Sequence, residues 1–377
     1  MFSIWEQESF LAPADILIVG GGFAGLWSAW HLRRRYPRAG IVLLERDLIP
    51  MGASTRNAGF ACFGSAGELV ADAVALGNDR MLELVELRYR GLRQIEKTFS
   101  ARRIDLDWCG GYELFGEGTI TRDELAGQLE MLNILLKPFT GSRRTFRDVS
   151  HKIGDFGFGA TGFLVRNKAE GSLHSGKLVR ALQKSLHKQD VQLLYGIAAT
   201  GIHEDGDLLR VATGAGFDLK ARHVLLCNNT SARHLIPELT VTPARGQVLL
   251  TSPIPHLPWK GTFHADEGYY YFRNLGNRVL LGGARNKAIE EETSDDRVTT
   301  ALIQGELERF LDTVVLPGRS GSYSIEHRWS GIMGMGAEKA PLVKAHGERL
   351  YTAVALGGIG VAAAPEVGRQ VAELISL

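Results

Sequence analysis

Three glycines, Gly20, Gly22 and Gly25, have the spacing G-x-G-x-x-G, which predicts a site for phosphate groups. The first glycine permits a tight turn, the second lets the backbone approach a pyrophosphate, and the third lets a helix pack close to a strand. Glu45 follows about twenty residues after the last glycine, where an acidic side chain accepts hydrogen bonds from ribose hydroxyls. Together the four residues predict the binding of an adenine dinucleotide.

The elements around these residues have the order strand, turn, helix, strand. Residues 16–19 form a short apolar run rich in β-branched side chains, as in a strand that is buried on both faces. Apolar residues then recur at helical spacing over residues 26–32, and residues 41–44 form a second apolar run. Phe23 and Ala24 lie where the helix begins, so we expect their N–H groups to face the phosphates. A glycine turn without a ligand is the alternative.

The composition limits the class of protein. A chain of 377 residues usually forms more than one domain, and its net charge of +1 does not favour nucleic acid or an anionic membrane as a partner. The three scattered cysteines are too few for a disulfide framework, and neither they nor the histidines have metal-binding spacing. No apolar run reaches about 18 residues, and the acidic N-terminus lacks the pattern of a signal peptide. We therefore expect a cytoplasmic protein with no metal site and no membrane span.

After Glu45 the chain has few core residues and many small or hydrogen-bonding ones. Ser54 and Thr55 supply hydroxyl groups, and Arg56 supplies a positive charge, directly after the predicted ribose acid. Such side chains suit a loop that runs along the rest of a nucleotide. An irregular surface loop is the alternative interpretation.

Glu45 and Arg46, followed by residues 52–59, resemble the FAD-contacting segment of the D-amino-acid-oxidase-like flavoproteins. This family includes glycine oxidase, monomeric sarcosine oxidase and γ-glutamylputrescine oxidase. The resemblance covers nearly the whole chain, because it resumes at residues 243–247, 282–283, 329–331 and 357–365. It implies that the cofactor is FAD. Covalent members of the family attach FAD to a cysteine near the Pro341 segment or a histidine near the first glycine loop, and residues 334–342 and 53–59 contain neither, so we expect non-covalent FAD. Besides the glycine turn and Glu45, the residues assigned to FAD are Arg46, Ser54, Thr55, Arg56, Asn57, Ala58, Gly59, Ile197, Asn228, Asn229, Gly331, Gly357, Gly358, Ile359, Gly360 and Val361.

Two of the assigned segments also follow from their own patterns. Residues 224–227 form an apolar strand that ends in Asn228 and Asn229, and α/β folds bind ligands at such strand ends. Near the C-terminus, a strand over residues 350–356 leads through a glycine turn into a helix that begins at Val361. The positive end of that helix would stabilise negative charge on a reduced flavin. A turn that serves only packing is the alternative.

Tyr269, Tyr271 and Arg273 alternate along a predicted strand and therefore share one of its faces. Arg273 could bind a carboxylate through two hydrogen bonds, and a surface ion pair is the alternative for this side chain. Trp329 and Met333 lie on a later segment that the resemblance places beneath the flavin. We expect these five residues to line the substrate site.

The resemblance also implies a reaction. Members of the family transfer a hydride from the carbon next to an uncharged amine to FAD, which produces an imine, and the electrons then pass to oxygen or a quinone. Glycine-oxidase-like members have an arginine shortly after Trp-x-Gly that anchors the substrate carboxylate, whereas residues 332–335 contain no arginine. A larger amine or an N-substituted amino acid is therefore the expected small-molecule substrate.

Two other functions are compatible with the first glycine motif. One is an NAD(P)-dependent dehydrogenase, and the other is a flavin domain that acts in tRNA modification. The chain has neither a second GxGxxG unit nor a Cys-x-x-Cys motif, so FAD alone is the preferred cofactor. The near-neutral charge counts against a nucleic-acid substrate.

The periodicities predict an α/β protein with two interleaved domains. Residues 1–77, 150–240 and 322–377 are assigned to a Rossmann-like FAD-binding domain. Residues 78–149 and 241–321 are assigned to an α+β substrate domain that is built on a mixed or antiparallel sheet.

Within the predicted substrate domain, three helices and one strand pair have recognisable signals. Apolar stripes predict helices over residues 78–99 and 122–136. Ser294, with two aspartates after it, predicts the start of a third helix. A strand pair is predicted around the turn formed by Gly110 and Gly111.

Overall fold

The chain divides into two units, each assembled from separate stretches of sequence. The computed structural model describes all 377 residues. Unit 1 contains residues 1–55, 176–243 and 333–377, and unit 2 contains residues 56–175 and 244–332.

These limits differ from the predicted domain limits mainly in three stretches. Residues 56–77, 150–175 and 322–332 belong to unit 2, whereas the sequence assigns them to the cofactor-binding domain. One reason is that the two-residue strand Phe60–Ala61 pairs with Gly171–Ser172, and strands of this length leave no periodic pattern in the sequence.

The strands, in chain order, are β1 (Ala14–Val19), β2 (Ile41–Glu45), β3 (Phe60–Ala61), β4 (Gly111–Gly116), β5 (Phe146–Asp148), β6 (Thr161–Asn167), β7 (Gly171–Ser172), β8 (Gln192–Tyr195), β9 (Ala199–Asp205), β10 (Leu208–Thr213), β11 (Asp218–Leu226), β12 (Thr242–Thr251), β13 (Thr262–Ala265), β14 (Tyr270–Leu275), β15 (Arg278–Gly283), β16 (Ile325–Met335), β17 (Leu342–Ala345) and β18 (Leu350–Val354).

The α-helices are α1 (Ile4–Ser9), α2 (Phe23–Arg35), α3 (Ala53–Arg56), α4 (Ala66–Leu76), α5 (Asn78–Thr98), α6 (Ala101–Ile104), α7 (Arg122–Thr140), α8 (Ile153–Phe156), α9 (Ser175–His187), α10 (Ala301–Phe310) and α11 (Gly360–Leu374). Short 3-10 turns occur at Ser150–Lys152, Asn229–His234, Arg285–Lys287 and Gly357–Ile359, and one π turn occurs at Leu311–Val315. None of the helices combines the length and the apolar character needed to cross a lipid bilayer.

Unit 1 is organised around a sheet with the order β17-β18-β11-β1-β2-β8, to which β10 and β9 add through β11. The strands from β18 to β8 are parallel, so their carboxyl ends meet at one edge of the sheet. All five residues of β2 are buried, as expected for a strand covered on both faces. Helices α2 and α11 pack closely, because a Cβ on Gly368 would lie 2.6 Å from the carbonyl carbon of Trp27.

Unit 2 is organised around a mixed sheet with the order β16-β12-β15-β14-β13-β4-β6-β5. Strands β13 and β4 are parallel, whereas the β14 to β13 and β14 to β15 pairs are antiparallel. One face carries an apolar core in which the rings of Phe263 and Phe272 stack with their centroids 4.8 Å apart. Because side chains alternate along a strand, His264, Tyr271 and Arg273 lie on the opposite face.

The helices predicted over residues 78–99 and 122–136 are confirmed as α5 and α7. The helix predicted from Ser294 is wrong in its start, because α10 begins at Ala301. Ser294 instead accepts a hydrogen bond from the N–H of Asp296 at 3.1 Å, so its hydroxyl closes a turn rather than capping the helix.

The strand pair predicted around Gly110 is also wrong, because only β4 follows the glycines. On the other side of the turn, Asp107 makes an isolated bridge with Ser172 instead of pairing with β4. Residues 46–59 contain one helical turn, α3, within an otherwise irregular segment.

Candidate cofactor site and substrate-binding residues

The turn between β1 and α2 can be built only with glycine at two positions. Gly20 has φ +116°, and a Cβ there would lie 2.6 Å from the carbonyl oxygen of Cys227. A Cβ on Gly25 would overlap the carbonyl oxygen of Gly20. Gly22 precedes the first residue of α2 as its N-cap. The turn and packing roles expected for Gly20 and Gly25 therefore match their surroundings.

Glu45 ends β2 and is buried, with 9% of its surface exposed. Its Oε2 accepts a hydrogen bond from the Gly21 N–H at 2.9 Å, and its Oε1 accepts one from the Asp47 N–H at 3.1 Å. A carboxylate has about four acceptor positions, so two remain for a ligand hydroxyl. Ile197 donates its N–H to the carbonyl oxygen of Glu45 at 3.1 Å, which places the end of β8 beside this acid.

Ser54 closes the N-terminus of α2. Its Oγ accepts a hydrogen bond from the Phe23 N–H at 2.8 Å, although the two residues are far apart in sequence. Thr55 donates its hydroxyl to the carbonyl oxygen of Pro50 at 2.6 Å, and Arg46 Nη1 lies 3.3 Å from Ser231 Oγ. The sequence predicts ligand contacts for all three side chains. It does not reveal that each of them also has a hydrogen-bond partner within the protein.

Asn228 and Asn229 follow the carboxyl end of β11. Asn228 Oδ1 is buried without a hydrogen-bond partner, which is costly unless a ligand or water supplies a donor. The backbone N–H of Asn228 is close to the glycine turn, since a Cβ on Gly20 would lie 2.9 Å from that nitrogen. Asn229 has φ +55°, in the left-handed region that asparagine tolerates.

The C-terminal helix α11 begins directly after the 3-10 turn Gly357–Ile359. Gly357 has φ +63°, and the first turn of α11 contains no acidic side chain, so nothing on the helix itself neutralises the positive end of its dipole. Val361 is buried in the first turn. Met333 lies beside this turn, with its Sδ 3.9 Å from the position of a Cβ on Gly358.

These features of unit 1 fit an adenine dinucleotide. The glycine turn packs too closely on the neighbouring backbone to admit a Cβ at Gly20 or Gly25, Glu45 is a buried carboxylate with spare acceptor positions, and Asn228 offers an acceptor without a partner. No group of three or more His, Cys, Asp and Glu side chains could hold a metal ion.

In unit 2, two reciprocal hydrogen bonds join Arg56 to the start of the Trp329–Gly331 motif. Trp329 Nε1 donates to the carbonyl oxygen of Arg56 at 2.9 Å, and Arg56 Nη1 donates to the carbonyl oxygen of Ser330 at 2.8 Å. Gly331 favours this approach, because a Cβ there would lie 3.0 Å from Arg56 Cβ, closer than an ordinary van der Waals contact. The two motifs predicted to contact FAD are thus neighbours in space.

The residues after Arg56 are held by Asn57. Its Oδ1 accepts hydrogen bonds from the Gly59 N–H at 2.9 Å and from Ser175 Oγ at 2.5 Å. Ala58, which lies between Asn57 and Gly59, is buried, with 8% of its surface exposed. The side chain of Asn57 therefore fixes the turn that leads into β3.

Arg273 directs its hydrogen bonds to main-chain carbonyl groups. Its Nη1 donates to Gly59 at 2.8 Å, to Leu173 at 3.0 Å and, at the limit of 3.5 Å, to Ala58. Burial lowers the pKa of the guanidinium below its usual value. Neither alternative drawn from the sequence, a carboxylate anchor or a surface ion pair, includes these partners.

Tyr271 lies flat on the neighbouring strand. A Cβ on Gly282 would lie 2.5 Å from Tyr271 Cε2, so only glycine leaves room for the ring. The rings of Phe60 and Tyr271 are nearly perpendicular, with their centroids 6.0 Å apart. Burial raises the pKa of Tyr271 to about 12, so the phenol is a neutral hydrogen-bond donor at neutral pH. Tyr269, at the start of the same stretch, is 37% exposed.

Two buried carboxyl groups of unit 2 are absent from the sequence-based site. Glu170 Oε1 accepts hydrogen bonds from the N–H groups of Phe63 and Gly64, at 3.1 and 3.2 Å. Glu113 accepts hydrogen bonds from the Ser65 hydroxyl at 3.0 Å and the Gly67 N–H at 2.7 Å. The only local signal is a glutamate within the apolar run of β4, which does not reveal its partners.

Burial dominates the protonation of this cluster. It raises the pKa of Glu170 to about 8 and that of Glu113 to about 7. It also lowers the pKa of His264 to about 4, and His264 Nε2 lies 3.9 Å from Glu170 Oε2. At neutral pH the histidine is therefore uncharged, and Glu170 keeps its proton.

Comparison with known proteins decides the family. The sequence model of the FAD dependent oxidoreductase (DAO) family matches residues 15–374. The chain belongs to this family of FAD-dependent oxidoreductases. Its cofactor is accordingly FAD, and the protein is an enzyme, in agreement with the resemblance seen in the motifs.

One similar sequence and two similar solved structures illustrate the relationship. The gamma-glutamylputrescine oxidoreductase of Escherichia coli (strain K12) is 24% identical over 383 residues, which cover 96% of this chain and 83% of that protein. The L-proline dehydrogenase from P. horikoshii has a TM-score of 0.77 at 17% identity and covers 96% of this chain and 93% of its own. The glycine oxidase from Geobacillus kaustophilus has a TM-score of 0.73 at 20% identity, and the match covers 97% of this chain and 96% of that one. The two structures show that the fold is shared.

Proposed function

We propose that the enzyme oxidises the C–N bond of an amine or an N-substituted amino acid to an imine, with FAD as the hydride acceptor. The observation that carries the proposal is the family match over residues 15–374, and the glycine turn with the buried Glu45 beside it supports the proposal. The three similar proteins support the choice of substrate, because gamma-glutamylputrescine, proline and glycine each have a carbon bonded to an amine nitrogen.

In this proposal, residues of unit 1 bind the cofactor. N–H groups at the N-terminus of α2 donate hydrogen bonds to the pyrophosphate, except that of Phe23, which is bonded to Ser54, and Glu45 accepts hydrogen bonds from the ribose. Asn228 Oδ1, which is buried without a donor, accepts a hydrogen bond from a polar group of the ligand. The positive end of α11 stabilises negative charge. FAD, when bound, supplies the acceptor for a hydride.

Residues of unit 2 orient the substrate. The C–H bond next to nitrogen breaks with its electron pair leaving toward the cofactor, while the nitrogen lone pair forms the C=N bond and the nitrogen then loses a proton to water. The nitrogen must therefore be uncharged before the reaction. Tyr271 is a neutral donor at neutral pH, whereas Trp329 and Tyr269 offer aromatic walls.

The purified protein tests this proposal. Its absorption spectrum should show an oxidised flavin, and anaerobic addition of amines and N-substituted amino acids should bleach it, with the matching carbonyl compound appearing after hydrolysis. Alcohols and 2-hydroxy acids of the same size are the controls. A flavin that is bleached only by NAD(P)H, or by none of the amines, would remove the proposed reaction.

Acid precipitation of the same protein tests the non-covalent attachment. The yellow colour should be released into the supernatant, because Cys62, the cysteine closest in sequence to the cofactor loop, is buried and its thiol pKa is raised well above the usual value. Such a thiol is a poor nucleophile toward a flavin. Colour that stays in the pellet would contradict this expectation.

A further inference from the structure

Four consecutive residues, 56–59, are each tied to another part of unit 2. Arg56 exchanges hydrogen bonds with the Trp329 motif, and Asn57 binds the Gly59 N–H and Ser175. Ala58 and Gly59 are tied through their carbonyl oxygens to Arg273. A short irregular segment with this many partners is held in one conformation rather than left to be ordered by a ligand.

The conformation at Gly59 needs such support. Its φ is +72°, and a Cβ would overlap the carbonyl oxygen of Leu173 and lie 3.0 Å from Arg273 Nη1. The Gly59 carbonyl oxygen accepts two hydrogen bonds, one from the Leu173 N–H at 2.8 Å and one from Arg273 Nη1 at 2.8 Å. Arg273 also binds the Leu173 carbonyl oxygen, so it bridges the two chain segments where they run together.

The hydrogen bonds of Arg273 fit the support of the main chain better than they fit the anchoring of a substrate. Arg273 Nε donates to the Asn274 carbonyl oxygen at 3.2 Å, so both Nε and Nη1 are engaged by the main chain. A bidentate grip on a carboxylate through Nε and Nη2 would take Nε from the Asn274 carbonyl oxygen, and a grip through Nη1 and Nη2 would take an Nη1 N–H from Gly59 or Leu173. In either case a main-chain carbonyl group would lose a donor, which costs free energy.

We propose that Arg273 is a positioning residue that holds the main chain of Ala58 and Gly59 in the conformation that binds FAD, and that it does not anchor a substrate carboxylate. The proposal rests on the proposed function, because it takes residues 56–59 to contact the cofactor. Arg273 then acts on the reaction only through the segment that it supports.

Release of FAD from the holoenzyme tests the proposal. After dilution, flavin fluorescence should show that Arg273→Met raises the FAD dissociation constant by about tenfold to a hundredfold, because a charged hydrogen bond is lost at each of two carbonyls. Arg273→Lys should recover part of the affinity, since an ammonium can reach one carbonyl but lacks the planar fork. With saturating FAD, KM for an acidic and for an uncharged amine should change by the same factor.

Arg278→Met is the matched control. Arg278 lies on the adjacent strand β15, donates to the carbonyl oxygen of Thr251 at 3.2 Å and pairs with Glu326, so the variant removes a main-chain bond of the same kind and an ion pair from the same sheet. It should lower the melting temperature without changing the FAD dissociation constant. If Arg273 had only a structural role, Arg273→Met would likewise lower the melting temperature and leave the FAD dissociation constant unchanged.

Two results would overturn the proposal. One is an unchanged FAD dissociation constant in Arg273→Met, whatever its stability. The other is normal FAD binding with KM raised only for the acidic amine, which would restore the anchor. Both presuppose a wild-type protein that binds FAD and oxidises amines, so a failure of the proposed function itself is seen first, in the wild type.

Discussion

Glu45 binds two backbone N–H groups with the same carboxylate that is proposed to bind the cofactor. Its two oxygens already receive the N–H groups of Gly21 and Asp47, so the carboxylate is fixed before a ligand arrives. A group that is oriented in advance loses less conformational entropy on binding. The spacing of Glu45 from the glycines predicts its ribose contact, whereas the bond that orients it appears only in three dimensions.

The first prediction concerns this carboxylate. Glu45→Ala should weaken FAD binding by about 1.5–3 kcal/mol, because a charged hydrogen bond to the ribose is lost and the buried Gly21 N–H loses its acceptor. Glu45→Gln, which keeps one oxygen for Gly21, should lose less. Equilibrium dilution of the holoenzyme measures both variants. Flavin retention equal to that of the wild type in Glu45→Ala would remove Glu45 from the site.

At the scale of elements, local sequence patterns predict the helices and strands that form within one stretch of the chain. The β1 strand, the glycine turn and α2 are correct because their signals lie within one stretch of sequence. The hydrogen bond from Arg273 to the Gly59 carbonyl oxygen could not be predicted, because the two residues are 214 positions apart in sequence. Ser294 misled the prediction of α10 for a related reason, since a serine followed by aspartates suits a turn as well as a helix cap.

The second prediction belongs to the pair of strands β14 and β15. Gly282→Ala should raise KM by about tenfold or more while the FAD dissociation constant stays unchanged, because the new methyl group would lie 2.5 Å from the Tyr271 ring and displace it. Steady-state kinetics and FAD release measure the two quantities.

Gly305→Ala provides the matched control for this substitution. Gly305 is in α10 and has open space where its Cβ would be, so alanine should leave KM unchanged and stabilise the helix by about 0.5–1 kcal/mol. An unchanged KM in Gly282→Ala would show that the position of Tyr271 is unimportant for substrate binding.

At the scale of the whole molecule, buried carboxyl groups make folding depend on pH. Glu170 and Glu113 have pKa values of about 8 and about 7 in the folded protein, against 4.5 for an unhindered glutamate. Glu68 adds negative charge to the cluster and pairs with Arg88 at 3.6 Å. Above pH 4.5 the folded state keeps protons that the unfolded state has lost. The free energy of unfolding should therefore fall as pH rises from about 4.5 through 8.

The last prediction identifies the group responsible. In Glu170→Gln, the amide should replace the protonated carboxyl group: its oxygen accepts from the N–H groups of Phe63 and Gly64, and its NH₂ faces His264. Urea unfolding from pH 5 to 9, at constant FAD, should then show a smaller loss of stability with pH. The variant should exceed the wild type by about 1–3 kcal/mol at pH 9, since a tenfold difference in proton affinity between the folded and unfolded states corresponds to about 1.4 kcal/mol. Glu130→Gln, which changes an exposed carboxylate on α7, should keep the wild-type slope. An unchanged slope in Glu170→Gln would mean that Glu170 is already ionised in the folded protein, with the two N–H groups outweighing its burial.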